Sequence, residues 1–308
     1  MRLLAACARH GRWLLIGGLV TGVALPDLAA WLAPALVPTL AAMLCVAALR
    51  EGPRAALPRR GAFGPALAAT LVLQLALPLA AGAAFWTAGV LGQPVVTGML
   101  LALAAAPITG APGLAVMTGA DAGATLRHLT LGTALLPFTA APVFALLPVF
   151  PDPFAVLAGA LRLLLLVGLA ALVAAGLRAA VPAVTRPAAR PALDGLMAIG
   201  MALVVVGLMS AVAPAAAGTP LVLAVTLALA FALHLAQTLG GWHAARRTLP
   251  RPEAQAVAIV AANRNLALFL AAVPSEVAAP LMVFVGCYQI PMYLTPLMLP
   301  RLTTARAA

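Results

Sequence analysis

Apolar runs of about 20 residues follow one another along nearly the whole chain, separated by short segments rich in Pro, Gly and Arg. A hydrocarbon layer about 30 Å thick is crossed by ~20 helical residues, whereas a tilted strand needs only about 10. Lipid offers the backbone no hydrogen-bond partners, so a run of this length must close its own bonds as a helix. Composition agrees: 64% of the 308 residues are hydrophobic, 8% are charged, and the mean hydropathy is +1.11. No polar stretch is long enough for a separate soluble domain, which predicts one membrane domain over residues 1–308.

Runs bounded by charge or Pro/Gly clusters give ten candidate spans, near 12–28, 31–50, 64–85, 92–119, 122–149, 154–178, 192–213, 219–240, 253–274 and 277–299. Charge placement tests that count independently. Arg2, Arg9 and Arg12 precede the first span, Arg50, Arg54, Arg59 and Arg60 follow the second, and Arg178, Arg186 and Arg190 follow the sixth. Arg246, Arg247 and Arg251 follow the eighth, and Arg301 and Arg306 close the chain. All of these fall on one side, while the opposite loops carry Asp27, Asp152 and Glu276. The positive-inside rule then places both termini in the cytoplasm of a multi-pass protein of the bacterial inner membrane. A cleaved signal ending near Ala29-Ala30 is the competing reading of the N-terminus. Pro26-Asp27 and the immediate start of a second apolar run favour a retained helix.

The net charge of +11 does not point to nucleic acid, because the basic residues lie in loops without interleaved aromatics. Cys7, Cys45 and Cys287 are isolated in apolar surroundings, so neither a disulfide framework nor a CxxC site is indicated. The two serines, Ser210 and Ser275, lie outside any GxSxG setting, and there is no HExxH, so the chain does not read as an enzyme. A channel would show rings of charge or a repeated filter.

Two of the spans are interrupted. The fourth contains Pro107-Ile-Thr-Gly-Ala-Pro-Gly113, which cannot continue as one helix. The ninth carries Asn263-Arg264-Asn265 at its centre, and an arginine at that depth costs about 2.5–3.5 kcal/mol even on the lenient insertion scale. After the first break come Asp121 and then Pro137-Phe-Thr-Ala-Ala-Pro142; after the second come Ser275-Glu276 and then Pro291-Met-Tyr-Leu-Thr-Pro296. Break, acidic cap and PxxxxP recur in order. Two five-helix halves, about 1–150 and 154–308, are oppositely oriented because five is odd, so the pattern predicts an all-α fold of two inverted repeats. Discontinuous helices four and nine then cross near the midplane.

In this order and spacing, Gln74-Leu-Ala-Leu-Pro78, Ala106-Pro107 through Gly113, Thr130-Leu-Gly-Thr133 to Pro137, and Ala258-Ile259 through Asn265 resemble the bile acid:sodium symporter superfamily over nearly the whole chain. The resemblance implies a core of spans three to five and eight to ten, moving against a panel of spans one, two, six and seven. Small organic anions pass through the crevice between them. It also implies that Gln74 and Thr133 match sodium-site positions and that Asn265 matches the asparagine after the ninth-helix break. The family's ninth-helix glutamate falls on Val260, the following glutamine on Arg264, and the serine and asparagine of the fourth-helix break on Pro112 and Gly113. These departures argue against sodium coupling.

A physical substitute is available. Half-helices ending near the midplane present carbonyls worth about half a negative charge each, which the always-charged Arg264 guanidinium can neutralise. Arg264 is expected either to lock the crossing or to contact an anionic substrate. Asn263 and Thr109 complete the polar set at the two breaks. Thr130 and Thr133 share one helix face and are candidates for a polar lining, against ordinary back-bonding to their own carbonyls. His234 and Gln237, one turn apart, are candidates for interhelical bonding, and His234 is the first group to test for proton coupling. Arg127 and His128 are expected to meet headgroups, and Arg162 to reach the periplasmic surface. No organic cofactor is implied. Sodium and proton stay open as coupling ions, as do the substrate and the oligomeric state. A ligand sensor that does not transport, and a symporter with a non-standard sodium site, are the competing functions.

Overall fold

The computed structural model describes residues 2–51, 63–150, 152–272 and 275–303. Arg54, Arg59, Arg60 and Arg306 of the charge pattern lie outside them. The described chain is almost entirely helical: α1 (Arg2–Arg9), α2 (Gly11–Ala24), α3 (Pro26–Leu32), α4 (Leu36–Glu51), α5 (Phe63–Leu71), α6 (Leu77–Thr87), α7 (Pro94–Ala104) and α8 (Ala111–Thr118). After these come α9 (Ala122–Phe144), α10 (Pro153–Ala180), α11 (Arg190–Leu208), α12 (Val212–Gly218), α13 (Pro220–Ala245), α14 (Arg251–Ala262), α15 (Ser275–Tyr293) and α16 (Thr295–Thr303).

Local chemistry sets the ends of these helices. Proline opens α3, α7, α10 and α13, where its missing N–H removes nothing the helix would use. Asp121 and Asp152 cap α9 and α10, accepting from the N–H groups of Ala124 (2.7 Å) and Ala155 (2.9 Å). Gly119 closes α8 at φ +74°, a backbone conformation that favours glycine.

Among the described residues, five helical stretches are long and apolar enough to cross a membrane, six if α15 and α16, bent by 56°, count as one. Their outer faces are aliphatic. On α10, Leu161, Leu165, Leu169 and Leu172 point outward while Gly159, Leu163, Ala170 and Ala174 pack inward. An exposed stripe of this kind suits lipid and would be unfavourable in water. The chain is thus an all-α protein with several apolar helices, compatible with a multi-pass membrane protein.

Packing sorts the helices into two groups. In one, α11 lies against α1, α2 and α4, and α10 against α4. In the other, α13 packs on α14 and α15, α9 on α5, α8 and α14, and α7 on α6 and α15. Ion pairing reinforces the first group, where the Arg50 guanidinium at the end of α4 donates to the Asp194 carboxylate on α11. The functional candidates concentrate in the second.

Candidate functional site at a helix crossing

The two broken segments meet. Residues 105–110 and 263–265 run antiparallel past one another, paired at Pro107 and Arg264. The Ile108 N–H donates to the Asn263 carbonyl (2.8 Å) and the Asn265 N–H to the Ala106 carbonyl (2.7 Å). This two-bond ribbon lets extended backbone exist in an apolar interior, because each strand supplies what the other lacks.

Arg264 completes the accounting. It is 1% exposed, the largest fully buried side chain described. Its Nε donates to the Ala261 carbonyl (2.8 Å), its Nη1 to the Ala105 carbonyl (2.8 Å) and its Nη2 to the Leu73 carbonyl (3.1 Å). The first two acceptors lie at the C-terminal ends of α14 and α7, where helices leave carbonyls unpaired. The third follows from sequence. Residues Val72–Ala76 form a π segment, in which the Leu77 N–H bonds five residues back to the Val72 carbonyl. The next donor in that register would be residue 78, bonding to Leu73, but Pro78 has no N–H. The guanidinium fills the gap.

One planar cation therefore joins three backbone breaks through charge-assisted bonds, each worth about 1.5–3 kcal/mol. No acidic side chain is needed. The described carboxylates Asp27, Asp121, Asp152, Asp194 and Glu253 all sit at or near helix ends. Val260 on α14, one turn before Arg264, is buried.

Gln74, 1% exposed, donates from Nε2 to the Gly132 carbonyl (3.2 Å), while its Oε1 has no partner. Gly132 is required by close approach: a Cβ there would lie 2.7 Å from Gln74 Oε1 and 2.8 Å from Cδ of Pro107. The fifth span's glycine thus admits both the crossing and the glutamine.

The remaining candidates divide. Thr109 and Asn265 border, with Arg264, a narrow crevice between the two helix groups; Met43 and Met201 form its far wall, and Gln289 and Tyr293 its near one. Its free volume, about 30 Å³, holds a water molecule or two and no organic acid. Thr130 bonds back to the Leu126 carbonyl (3.0 Å), the ordinary behaviour of an intramembrane threonine. Thr133 is half-buried one turn further on the same helix.

Asn263 belongs to a separate network. It donates from Nδ2 to the Ile259 carbonyl (3.0 Å) and accepts from the Thr295 hydroxyl (3.0 Å). His234 Nε2 lies 3.2 Å from that hydroxyl, and the Tyr288 hydroxyl bridges Gln237 and the Ala262 carbonyl, 2.7 Å from each. Thr295, Tyr288 and Gln289 were missed in the sequence. Only Thr295 carried a signal, its place inside the second PxxxxP.

One expectation needs correction. His128 does not meet headgroups: it is 8% exposed, with Nδ1 unpartnered, because α9 turns that face toward the crossing. Arg162 is exposed, and its Nη1 also reaches the Ala272 carbonyl (3.5 Å) beyond the second break.

No protein-family model matches the chain, and no curated protein does.

Proposed function

We propose that the chain is a secondary transporter that moves a small organic anion across a bacterial inner membrane by alternating access. In this reading it is a divergent member of the bile acid:sodium symporter superfamily. It crosses the membrane ten times as two inverted repeats, with both termini cytoplasmic. The observation that carries the reading is the crossing of two broken helices beside a crevice that divides two helix groups. Broken helices at mid-depth are tolerated only where backbone lines a cavity or is satisfied by protein, and transporters place their sites there.

The chemistry of the crevice supports an anion. Arg264 keeps two of its five N–H groups beyond those given to carbonyls, and it borders the crevice with Thr109 and Asn265. The far wall is aliphatic and thioether, suited to the apolar part of an amphipathic acid. The present width admits only water, so the two groups separate to take substrate. Arg264 stands in for the cation that would otherwise neutralise the half-helix ends, and uptake on this reading is independent of sodium.

The test is uptake and counterflow of labelled pyruvate, succinate, benzoate and cholate in proteoliposomes, with sodium and pH varied independently. Exchange of at least one acid without sodium supports the reading. A strict sodium requirement refutes the role given to Arg264, and binding without exchange identifies a sensor.

A further inference from the structure

The network around His234 has a proton count that leaves one atom conspicuous. The Asn263 amide is oriented by its bond to the Ile259 carbonyl, so its Oδ1 can only accept, and it accepts the single proton of the Thr295 hydroxyl. The Thr295 oxygen has then no proton for His234, 3.2 Å away, and Nε2 must be the donor. The imidazole is held as the Nε2–H tautomer. Its Nδ1 is left as a bare lone pair on a side chain that is 0% exposed, and it has no partner.

One turn along α13, Gln237 presents the complement. The Tyr288 oxygen is 2.7 Å from both the Ala262 carbonyl and the Gln237 amide, yet a phenol has one proton. With the amide oxygen toward the phenol, Nε2 has no partner. Rotating the amide by 180° lets its NH₂ donate to the phenol while the phenol donates to Ala262, and it turns the carbonyl oxygen to the unpartnered side. Residues three apart share a helix face. An imidazole lone pair and an amide oxygen on the same helix face, both buried and both acceptors, are then each left without a donor.

We propose that this is the coupling-ion site, and that its ion is a proton. One proton from the aqueous phase adds to the Nδ1 lone pair of His234, and the resulting imidazolium donates to the Gln237 oxygen. The inference rests on the transporter reading for its word "coupling", but not for the site itself. Beside α14 lie Asn263 and, one residue on, Arg264, while Arg251 and Glu253 stand at the opposite end of that helix; α15 brings Tyr288, its ring 6.1 Å from the imidazole, and also carries Cys287 and Tyr293. From α16 come Thr295 and, in its last turn, Arg301; α7 and α12 carry no titratable residue, and the Ala262 carbonyl is a second acceptor beside the imidazole. No carboxylate faces His234 among the described residues. Thr295 sits just after the 56° bend between α15 and α16, and Asn263 opens the second break. A charge change at His234 is therefore felt at both.

The experiment is ¹⁵N-histidine NMR of the full chain in nanodiscs. The chain has four histidines, and His234 is assigned by elimination with H10Q, H128Q and H243Q, so the test survives if H234Q fails to fold. The expected result is a neutral Nε2–H tautomer at pH 8 that gains a proton at Nδ1 on acidification, with Gln237→Leu moving that step at least tenfold in proton concentration toward acid. In proteoliposomes, accumulation of whichever panel acid exchanges should collapse to the no-gradient level in H234Q under an imposed pH gradient. H243Q, altered at an exposed residue near the end of the same helix, should keep the wild-type accumulation. A neutral Nδ1–H tautomer, an Nδ1 that gains no proton down to pH 4, or gradient-driven accumulation unchanged in H234Q overturns the proposal. Failure of every acid to exchange refutes the transporter reading instead, and the NMR result still decides the proton site.

Discussion

The two breaks that meet at the crossing are built unequally. The first, residues 105–110, is Ala, Pro, Ile, Thr and Gly and contributes backbone alone to the meeting. The second, Asn263-Arg264-Asn265, contributes backbone plus two side chains, one of which also satisfies the first break's Ala105 carbonyl. A near-symmetric pattern in sequence thus becomes a one-sided dependence in structure. The apolar break relies on the polar one for its unpaired groups, and the converse bond is a single N–H from Ile108. Substitutions on the two sides should therefore differ sharply.

The largest effect is expected for Arg264→Ala, which orphans three buried carbonyls, each at about 1–3 kcal/mol. Loss of folded protein, read by size-exclusion after detergent extraction, is the expected outcome; a wild-type yield and melting midpoint would remove the lock. Arg264→Lys keeps the charge and loses the planar fork, so an intermediate midpoint is expected, and parity with wild type would show that charge alone suffices. Next in size is Gly132→Val, which pushes side-chain atoms into Gln74 and the ring of Pro107. Overpacking of this kind costs about 1–3 kcal/mol, and a melting midpoint unchanged by the substitution would show that the crossing yields more easily than its geometry suggests.

Asn263→Ala should be milder, about 1–2 kcal/mol, since the Ile259 carbonyl keeps its backbone donor and only Thr295 loses an acceptor. The smallest stability changes belong to the crevice. Thr109→Val should leave the melting midpoint within a degree or two while lowering exchange of the best panel acid severalfold. An effect on stability with exchange intact would reverse the division between the scaffold and the crevice. Thr130→Val, whose hydroxyl bonds its own helix, serves as the neutral reference.

Much of this was legible in the residues. The Pro/Gly run at 107–113 could not continue as one helix and does not, since residues 105–110 are non-helical and α8 restarts at Ala111; Asp121 was read as a helix start and is a cap. Arg264 was assigned to a break, and the carbonyls it was expected to neutralise are those it binds at α7 and α14. Its third partner was hidden, because choosing Leu73 needs both the absent N–H of Pro78 and the π register, and a π register leaves no pattern in hydropathy. Tyr288 was missed, and His128 misplaced, for a related reason. On a helix that is apolar all round, periodicity does not say which face meets protein and which meets lipid, so burial of a polar group is decided by neighbours distant in sequence. The helix limits fall near the expected ones, with differences such as α9 ending at Phe144 and α13 at Ala245, while among the described residues five helical stretches, six with the bent pair, are long and apolar enough to cross a membrane.

The three carbonyls gripped by Arg264 belong to α7, α14 and the π segment beside α5, all within one helix group. Sliding one group past the other stretches none of these bonds. On the proposed transporter reading, the arginine is a fixed rivet inside one body, and what would slide past α4 and α11 is the surface of that body with its cation already in place. A transporter built this way would not need to reload a metal ion to restore its rigidity at each turn of the cycle.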